Sequence, residues 1–260
     1  MTTNYVENKT DAASALLASS LPIDISQEIF KSLSKNVSVA EFDSVPTGAE
    51  LNGKDLALIN IGGTVDLSGV SAADIRDVDA FIFTTNDGVT FILDGAGTGF
   101  FKGVVATNGG NDSIVLNSTL GVTVSSGDGN DSVTTGSGND SVSAGSGNDS
   151  IVTGAGNDSV STGSGTDSVS TGDGNDIVLV GSGSGGGLLN GDVGNSDSLD
   201  LRLVTINNVD VAINGEITIT FDGGFVITAS NFEQFIYDSN GTTTAGGIVT
   251  VGVNDFDAAF

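Results

Sequence analysis

Apolar positions in the middle of the chain recur every nine residues. Val133, Val142, Ile151, Val160, Val169 and Val178 are all β-branched, and the residues between them are mostly Gly, Ser, Thr, Asn and Asp. Branching at Cβ suits a short, stacked strand. A fixed nine-residue period predicts a strand and a turn repeated in register, which is the signature of a solenoid. Two periods make one coil, with a turn on each side. The flanks carry longer apolar runs without a strict period. LALINI, VDLSGV, AFIFTT, VTFILD and FFKGVV alternate with Gly/Asp/Asn turns over 37–106, and LRLVTI, VDVAIN, EITITF, GFVITA, EQFIYD and GIVTVGV do so over 201–260. Each run reads as a strand. Helical patterning is confined to 10–36. There Asp11 can cap an Ala/Leu helix that stops near Pro22, and Asp24 or Ser26 can cap a second one with Ile25, Ile29, Phe30 and Leu33 on one face. This segment is expected to cover one end of the solenoid, since terminal repeats need a lid.

The six central repeats are SGDGNDSVT, TGSGNDSVS, AGSGNDSIV, TGAGNDSVS, TGSGTDSVS and TGDGNDIVL, contiguous from Ser126 to Leu179. Each contains Gly-x-Gly, an Asp two residues on, and the β-branched residue two after that. The glycines allow a tight turn. With two repeats per coil, Asp131, Asp149 and Asp167 stack on one edge and Asp140, Asp158 and Asp176 on the other. Carboxylates one strand spacing apart, about 4.8 Å, repel. The chain has no Lys or Arg between 103 and 201 to relieve that repulsion. A hard divalent cation would. Ca²⁺ accepts carboxylate and carbonyl oxygens flexibly, whereas Mg²⁺ demands strict octahedral geometry and Zn²⁺ prefers the His and Cys that this sequence lacks. A disordered Gly/Ser linker is the competing reading, but a linker has no reason to hold a β-branched residue in one phase through six repeats.

These repeats resemble the RTX, or haemolysin-type, calcium-binding nonapeptide, Gly-Gly-x-Gly-x-Asp-x-(apolar)-x, over about 107–200. The resemblance implies Ca²⁺ ions between successive coils, bracketed by Asp131/Asp149, Asp149/Asp167, Asp140/Asp158 and Asp158/Asp176. Turn carbonyls near Gly127, Gly129, Gly136, Gly138, Gly145, Gly147, Gly154, Gly156, Gly163, Gly165, Gly172 and Gly174 would complete the ligand sets. The first consensus Gly is replaced by Ser126, Thr135, Ala144, Thr153, Thr162 and Thr171. At the array's edges, TNGGNDSIV at 107–115 supplies Asp112, with Asp131 19 residues later and Gly121 where a carboxylate is expected. LNGDVGNSDSLDL at 189–201 reads as a late repeat with one insertion, carrying Asp192, Asp197 and Asp200; Asp112 and Asp197 join the candidate metal ligands. The fold expected is all-β: a right-handed parallel β-roll or β-helix solenoid with a short N-terminal helical cap. Its parts are a helical segment over 1–36, irregular β-coils over 37–106, the calcium-binding roll over 107–200 and a C-terminal β cap over 201–260.

Net charge is −26, and 27 of the 33 acidic residues are Asp, the turn and calcium-ligand acid. That balance excludes nucleic acid, which calls for basic patches, and argues against an anionic membrane surface. No apolar run approaches the roughly 20 residues that span a bilayer. The absence of Cys excludes disulfides. The N-terminus makes a poor secretory signal, and the ending GVNDFDAAF resembles the uncleaved C-terminal signals read by type I secretion machinery. GSGSG at 181–185 imitates a nucleophile motif, but without His no Ser/His/Asp triad is possible. Carboxylate pairs could serve a glycosidase, yet here they are phased as calcium ligands and 102–220 contains no aromatic residue to stack a sugar. The reading is therefore non-enzymatic: a secreted, calcium-folded structural protein that self-assembles into a cell-surface layer, filament or biofilm matrix. The alternative is an adhesin module that uses a flat Ser/Thr face to bind a glycan or ice.

Overall fold

The computed structural model describes residues 3–8, 36–53, 55–94, 101–194, 196–204, 206–211, 216–221, 223–237 and 247–250. The helical pair expected within 10–36 lies outside them, except for Asn36, which opens a strand, and so do 251–260, which hold most of the ending expected to act as a secretion signal. The described chain is a parallel β-roll. It winds alternately through two facing sheets, one of 12 strands and one of ten. In the centre, Ser132–Ser137, Ser150–Ala155 and Gly165–Asp173 stack in one sheet; Thr123–Asp128, Ser141–Ser146 and Ser159–Ser161 stack in the other. All these neighbours pair in parallel, with Val133 against Ile151 and Ile151 against Val169. In the facing sheet Val142 lies against both Val124 and Val160.

The nine-residue phase becomes a single buried row in each sheet because alternate strand residues face opposite sides. Val133, Val142, Ile151, Val160, Val169 and Val178 are no more than 3% exposed. Each such side chain contributes about 1.5–3 kcal/mol on burial. The threonines that replace the first consensus glycine point inward as well. Thr135, Thr153 and Thr171 are fully buried and so are not part of any exposed Ser/Thr face. Their hydroxyls explain the inward turn: Thr135 Oγ1 donates to the Thr153 carbonyl and Thr153 Oγ1 to the Thr171 carbonyl, both at 2.9 Å. A buried hydroxyl is tolerated when it finds such a partner. Ser132, Ser141, Ser150, Ser159 and Ser168 do face solvent.

Coils widen away from the centre. Ala80 pairs with both Leu56 and Val104, a step of 24 residues in each direction, while Ser141 pairs with Ser159, a step of 18. The extra chain in the wider coils includes two helical turns, Gly48–Leu51 and Ala72–Ile75, which the sequence did not announce. Wider coils admit larger side chains: Phe91 packs at ring-centroid distances of 5.2 Å from Phe81 and 5.1 Å from Phe83. Of LRLVTI at 201–206, residues 202–204 form a turn rather than a strand. Val204 N–H bonds back to the Leu201 carbonyl, and Ile206 alone begins the strand Ile206–Val211.

At both ends the parallel order gives way to antiparallel pairing. Thr3–Asn8 lies antiparallel to Asn36–Phe42, and Gln234–Tyr237 to Gly247–Thr250. In the other sheet Ile206–Val211, Ile217–Phe221 and Val226–Ser230 run antiparallel in succession.

Stacked turns make glycine obligatory where coils touch. Gly147 and Gly129 have φ of 132° and 134°, and a Cβ on Gly147 would overlap the Gly129 carbonyl oxygen. Strain of this kind is worth about 1–3 kcal/mol per residue. Gly147→Ala should lower stability in calcium by at least that amount, measured by urea unfolding followed by circular dichroism. An unchanged midpoint would contradict the stacked-turn geometry.

Candidate metal centre

Two columns of carboxylates run along the roll, one at each line of turns. In the central coils Asp immediately precedes the strand, except Asp167, which lies within Gly165–Asp173, and each carboxylate is tied to the coil before it. Asp112 N–H donates to Asp131 Oδ1 at 2.8 Å, Asp131 N–H to Asp149 Oδ1 at 2.9 Å, and Asp149 N–H to Asp167 Oδ1 at 3.1 Å. The second column repeats the bond through Asp140, Asp158, Asp176 and Asp197, at 2.7–2.9 Å. All eight sequence-predicted aspartates therefore lie in the two columns, including the edge residues Asp112 and Asp197.

The edges differ from the sequence reading in detail. The position facing Asp140 is held by Val122, not Gly121: Val122 N–H donates to Asp140 Oδ1 at 2.8 Å. The extra residue between Asp112 and Asp131 is absorbed in the strand Ser113–Ser118, where pairing shifts register and Asn117 adopts a φ of 40°. A bulge of this sort takes up one residue without moving the flanking turns. Asp192 is off the column; its Oδ2 is held by Ser170 Oγ and by Gly172 N–H. Asp200 is also off it, bonded to the Arg202 guanidinium at 2.6 Å.

A further ladder escaped the sequence reading. The asparagines just before the column aspartates offer their Oδ1 to the coil beside them, as in Asn148 N–H to Asn130 Oδ1 at 2.7 Å and Asn157 N–H to Asn139 Oδ1 at 3.0 Å. The signal was visible as Asn ahead of Asp in five of the six repeats, with Thr166 the exception.

The columns are set up for a cation. The eight aspartates are no more than 3% exposed. In seven of them Oδ2 is buried without a hydrogen-bond partner: Asp112, Asp131, Asp149, Asp158, Asp167, Asp176 and Asp197. In the eighth, Asp140, Oδ2 lies 2.5 Å from Thr135 Oγ1. Leaving a charged oxygen buried and unpaired is expensive. Burial accordingly pushes the carboxyl pKa of Asp149 up to about 7, with the charges of Asp131 and Asp167 adding to it. It pushes Asp140, Asp167 and Asp197 up to about 6, and raises Asp112, Asp131, Asp158 and Asp176 as well. Among the described residues no three acidic side chains converge on one point. A cation between coils would thus take carboxylates from two coils and draw its other ligands from backbone carbonyls. An all-oxygen set of that kind suits Ca²⁺ at about 6–8 ligands.

The geometry agrees with the family comparison. The profile of the family described as RTX calcium-binding nonapeptide repeat (4 copies) matches residues 125–160 and 152–186. No curated protein and no solved structure matches the chain significantly. Repeats of this family bind several calcium ions, so the chain is a calcium-binding protein whose central segment carries them.

Two outcomes follow. Asp149 has a column carboxylate on each side, Asp131 and Asp167, whereas Asp112 has Asp131 on one side and Val89 on the other. Asp149→Ala should therefore raise the calcium midpoint for folding severalfold more than Asp112→Ala, in titrations followed by circular dichroism; equal midpoints would refute the stacking scheme. The pH dependence has a defined sign. A carboxyl whose pKa is higher folded than unfolded favours the fold when protonated, so its contribution is present below about pH 4 and is lost as pH rises through about 6–7. In chelator, lowering the pH from about 8 to about 5 should increase β-structure; a loss of structure over that range would show that these carboxyls do not govern the calcium-free state.

Proposed function

We propose that this RTX-repeat protein is an extracellular structural protein, folded by calcium and assembled from many copies into a surface layer, filament or matrix. In this reading Asp112, Asp131, Asp149 and Asp167 hold ions along one line of turns, and Asp140, Asp158, Asp176 and Asp197 hold them along the other. The observation that carries the reading is the continuity of the scaffold. One hydrophobic cluster extends from Ala40 to Phe235 through every described coil. A one-dimensional stack contacts only its neighbours in sequence and leaves its end strands open to pairing. Gly63–Asp66 and Ile206–Val211 are the terminal strands of the ten-stranded sheet.

Exposed apolar groups support contact between copies. Near the C-terminal end of the same sheet, Leu188, Val226 and Phe225 are 63%, 43% and 48% exposed, and Val226 pairs with Gly186 on the strand that carries Leu188. Clustered exposed apolar side chains mark interaction surfaces. A head-to-tail contact that does not close produces a filament or lattice. Calcium would act twice, folding the subunit and offsetting the −26 charge that keeps copies apart. Export through type I secretion machinery belongs to the same proposal, as RTX proteins are substrates of that route.

The adhesin reading draws on one feature. Thr90, Ser113, Ser132, Ser150 and Ser168 form a continuous cross-strand row on the ten-stranded sheet, a flat hydroxyl ladder suited to a glycan or to ice. Mass measurement separates the two readings. In calcium, light scattering at rising concentration should report growing mass, reduced by Leu188→Lys and abolished by chelator. A monomer at every concentration would overturn the assembly reading in favour of the adhesin.

A further inference from the structure

The second carboxylate column does not stop at the repeats. Ser198 pairs with Gln234 across the next coil boundary, in the relation that Ser132 has to Ser150 within the array. The residues just before each pair are then equivalent, so Glu233 stands to Asp197 as Asp149 stands to Asp131. The characteristic bond of the column is present there too: Asp197 N–H donates to Glu233 Oε2 at 2.9 Å. Asp197 itself is completely buried, and its Oδ2 has no hydrogen-bond partner. A second observation points to the same spot. A Cβ on Gly194 would overlap both carboxylate oxygens of Asp197 and the carbonyl oxygen of Gly174. Glycine at 194 thus keeps space open where a carboxylate and a backbone carbonyl meet.

We propose that Asp197 and Glu233 hold a further calcium ion, beyond the nonapeptide array, that clamps the C-terminal coil onto the roll. Glu takes the column position because the chain between Asp197 and Glu233 is no longer a nine-residue repeat. It leaves the roll at Leu201, forms the antiparallel strands Ile206–Val211 and Ile217–Phe221, rejoins the roll through Val226–Ser230, which pairs in parallel with Ser184–Asn190, and then pairs Gln234–Tyr237 with Ser198–Asp200. The returning chain is held by backbone bonds from Glu233 and Gln234 to the Asp197 carbonyl, at 3.1 and 2.9 Å. An ion between the two side chains ties a coil closed over 36 residues with a contact that acts only when calcium is bound. Calcium would then dock the segment that carries Phe232 and Phe235 into the core, in addition to ordering the repeats.

This inference rests on the reading of the column aspartates as calcium ligands, and the test separates the two. The full chain is dialysed against calcium, bound ions are counted by elemental analysis, and backbone protection is mapped by hydrogen exchange. Asp149→Asn reports on the column and Glu233→Ala on the clamp. Gly194→Ala is a second route to the clamp, and Glu41→Gln, far from both on an exposed position, is the control. The expected result is that Asp149→Asn lowers the count, while Glu233→Ala and Gly194→Ala each lose one ion together with calcium-dependent protection of 226–237, leaving 125–186 protected. A lower count for Asp149→Asn with an unchanged count for Glu233→Ala would overturn the clamp and leave the column standing. Unchanged counts for both would overturn both.

Discussion

Everything in this fold answers to one constraint: carboxylates buried in two rows, each about one strand spacing from the next. Taking a charge out of water is far more costly than any single Val–Ile contact in the core can repay. The polypeptide satisfies half of each group itself, by aiming a backbone N–H at Oδ1 from the adjacent coil. In seven of the eight the other oxygen is buried without a hydrogen-bond partner. With no Lys or Arg anywhere between 103 and 201, a diffusible cation is the counter-charge. A metal bound in such a roll would be a structural element in the same sense as the valine row, and folding and ion binding would be one equilibrium.

The strict sequence period is a consequence of that constraint. An ion shared by two coils needs its ligands at the same place in each, so insertions cannot be tolerated near an aspartate. Where an extra residue does occur, between Asp112 and Asp131, it is displaced into a bulge at Asn117, in the strand and away from the turn. The inward threonines obey the same logic. Hydroxyls at 135 and 153 bond from coil to coil next to the carboxylates, so a polar row runs beside the valine row, broken only by Ala144 among the six central repeats.

This also explains what could be seen without coordinates and what could not. The repeat states its own register, and the fold and the six central aspartates of the array were legible from the phase of one acid and one branched residue. Asp112 and Asp197 were legible because Gly or Asn neighbours preserve the local motif. Glu233 was not, since it lies in SNFEQFIY, where no glycine frame marks the column and equivalence to Asp197 arises only through strand pairing across a long excursion. Val122 was mistaken for its neighbour because counting periods through a bulge shifts the frame by one. The inward direction of Thr135, Thr153 and Thr171 was hidden by composition: a hydroxyl that bonds to a buried carbonyl and one that bonds to water are spelled identically.

The two columns are offset along the axis. One runs from Asp112 to Asp167, where Gly187 takes the equivalent place in the next coil; the other is unbroken from Asp140 onward and continues past the repeats. On the N-terminal side the second column is interrupted at Val122 and Gly103 and resumes at Asp79 and Asp55, the residues just before the paired positions Ala80 and Leu56, while Phe81, Phe83, Phe91 and Phe101 fill the core of these coils. Aromatic packing is therefore unevenly spread along the molecule. The wide N-terminal coils bury Phe81, Phe83, Phe91 and Phe101, whereas the narrow centre has room only for Val, Ile, Ala and Thr between its carboxylate columns. The C-terminal coil has both, Phe232 against Phe235 at 6.4 Å and the end of the second column. Calcium dependence along this single continuous core should follow the columns: the central coils, which carry consecutive carboxylates and no aromatic ring, order as calcium becomes available, with each new coil completing a pair of carboxylates for the ion beneath it.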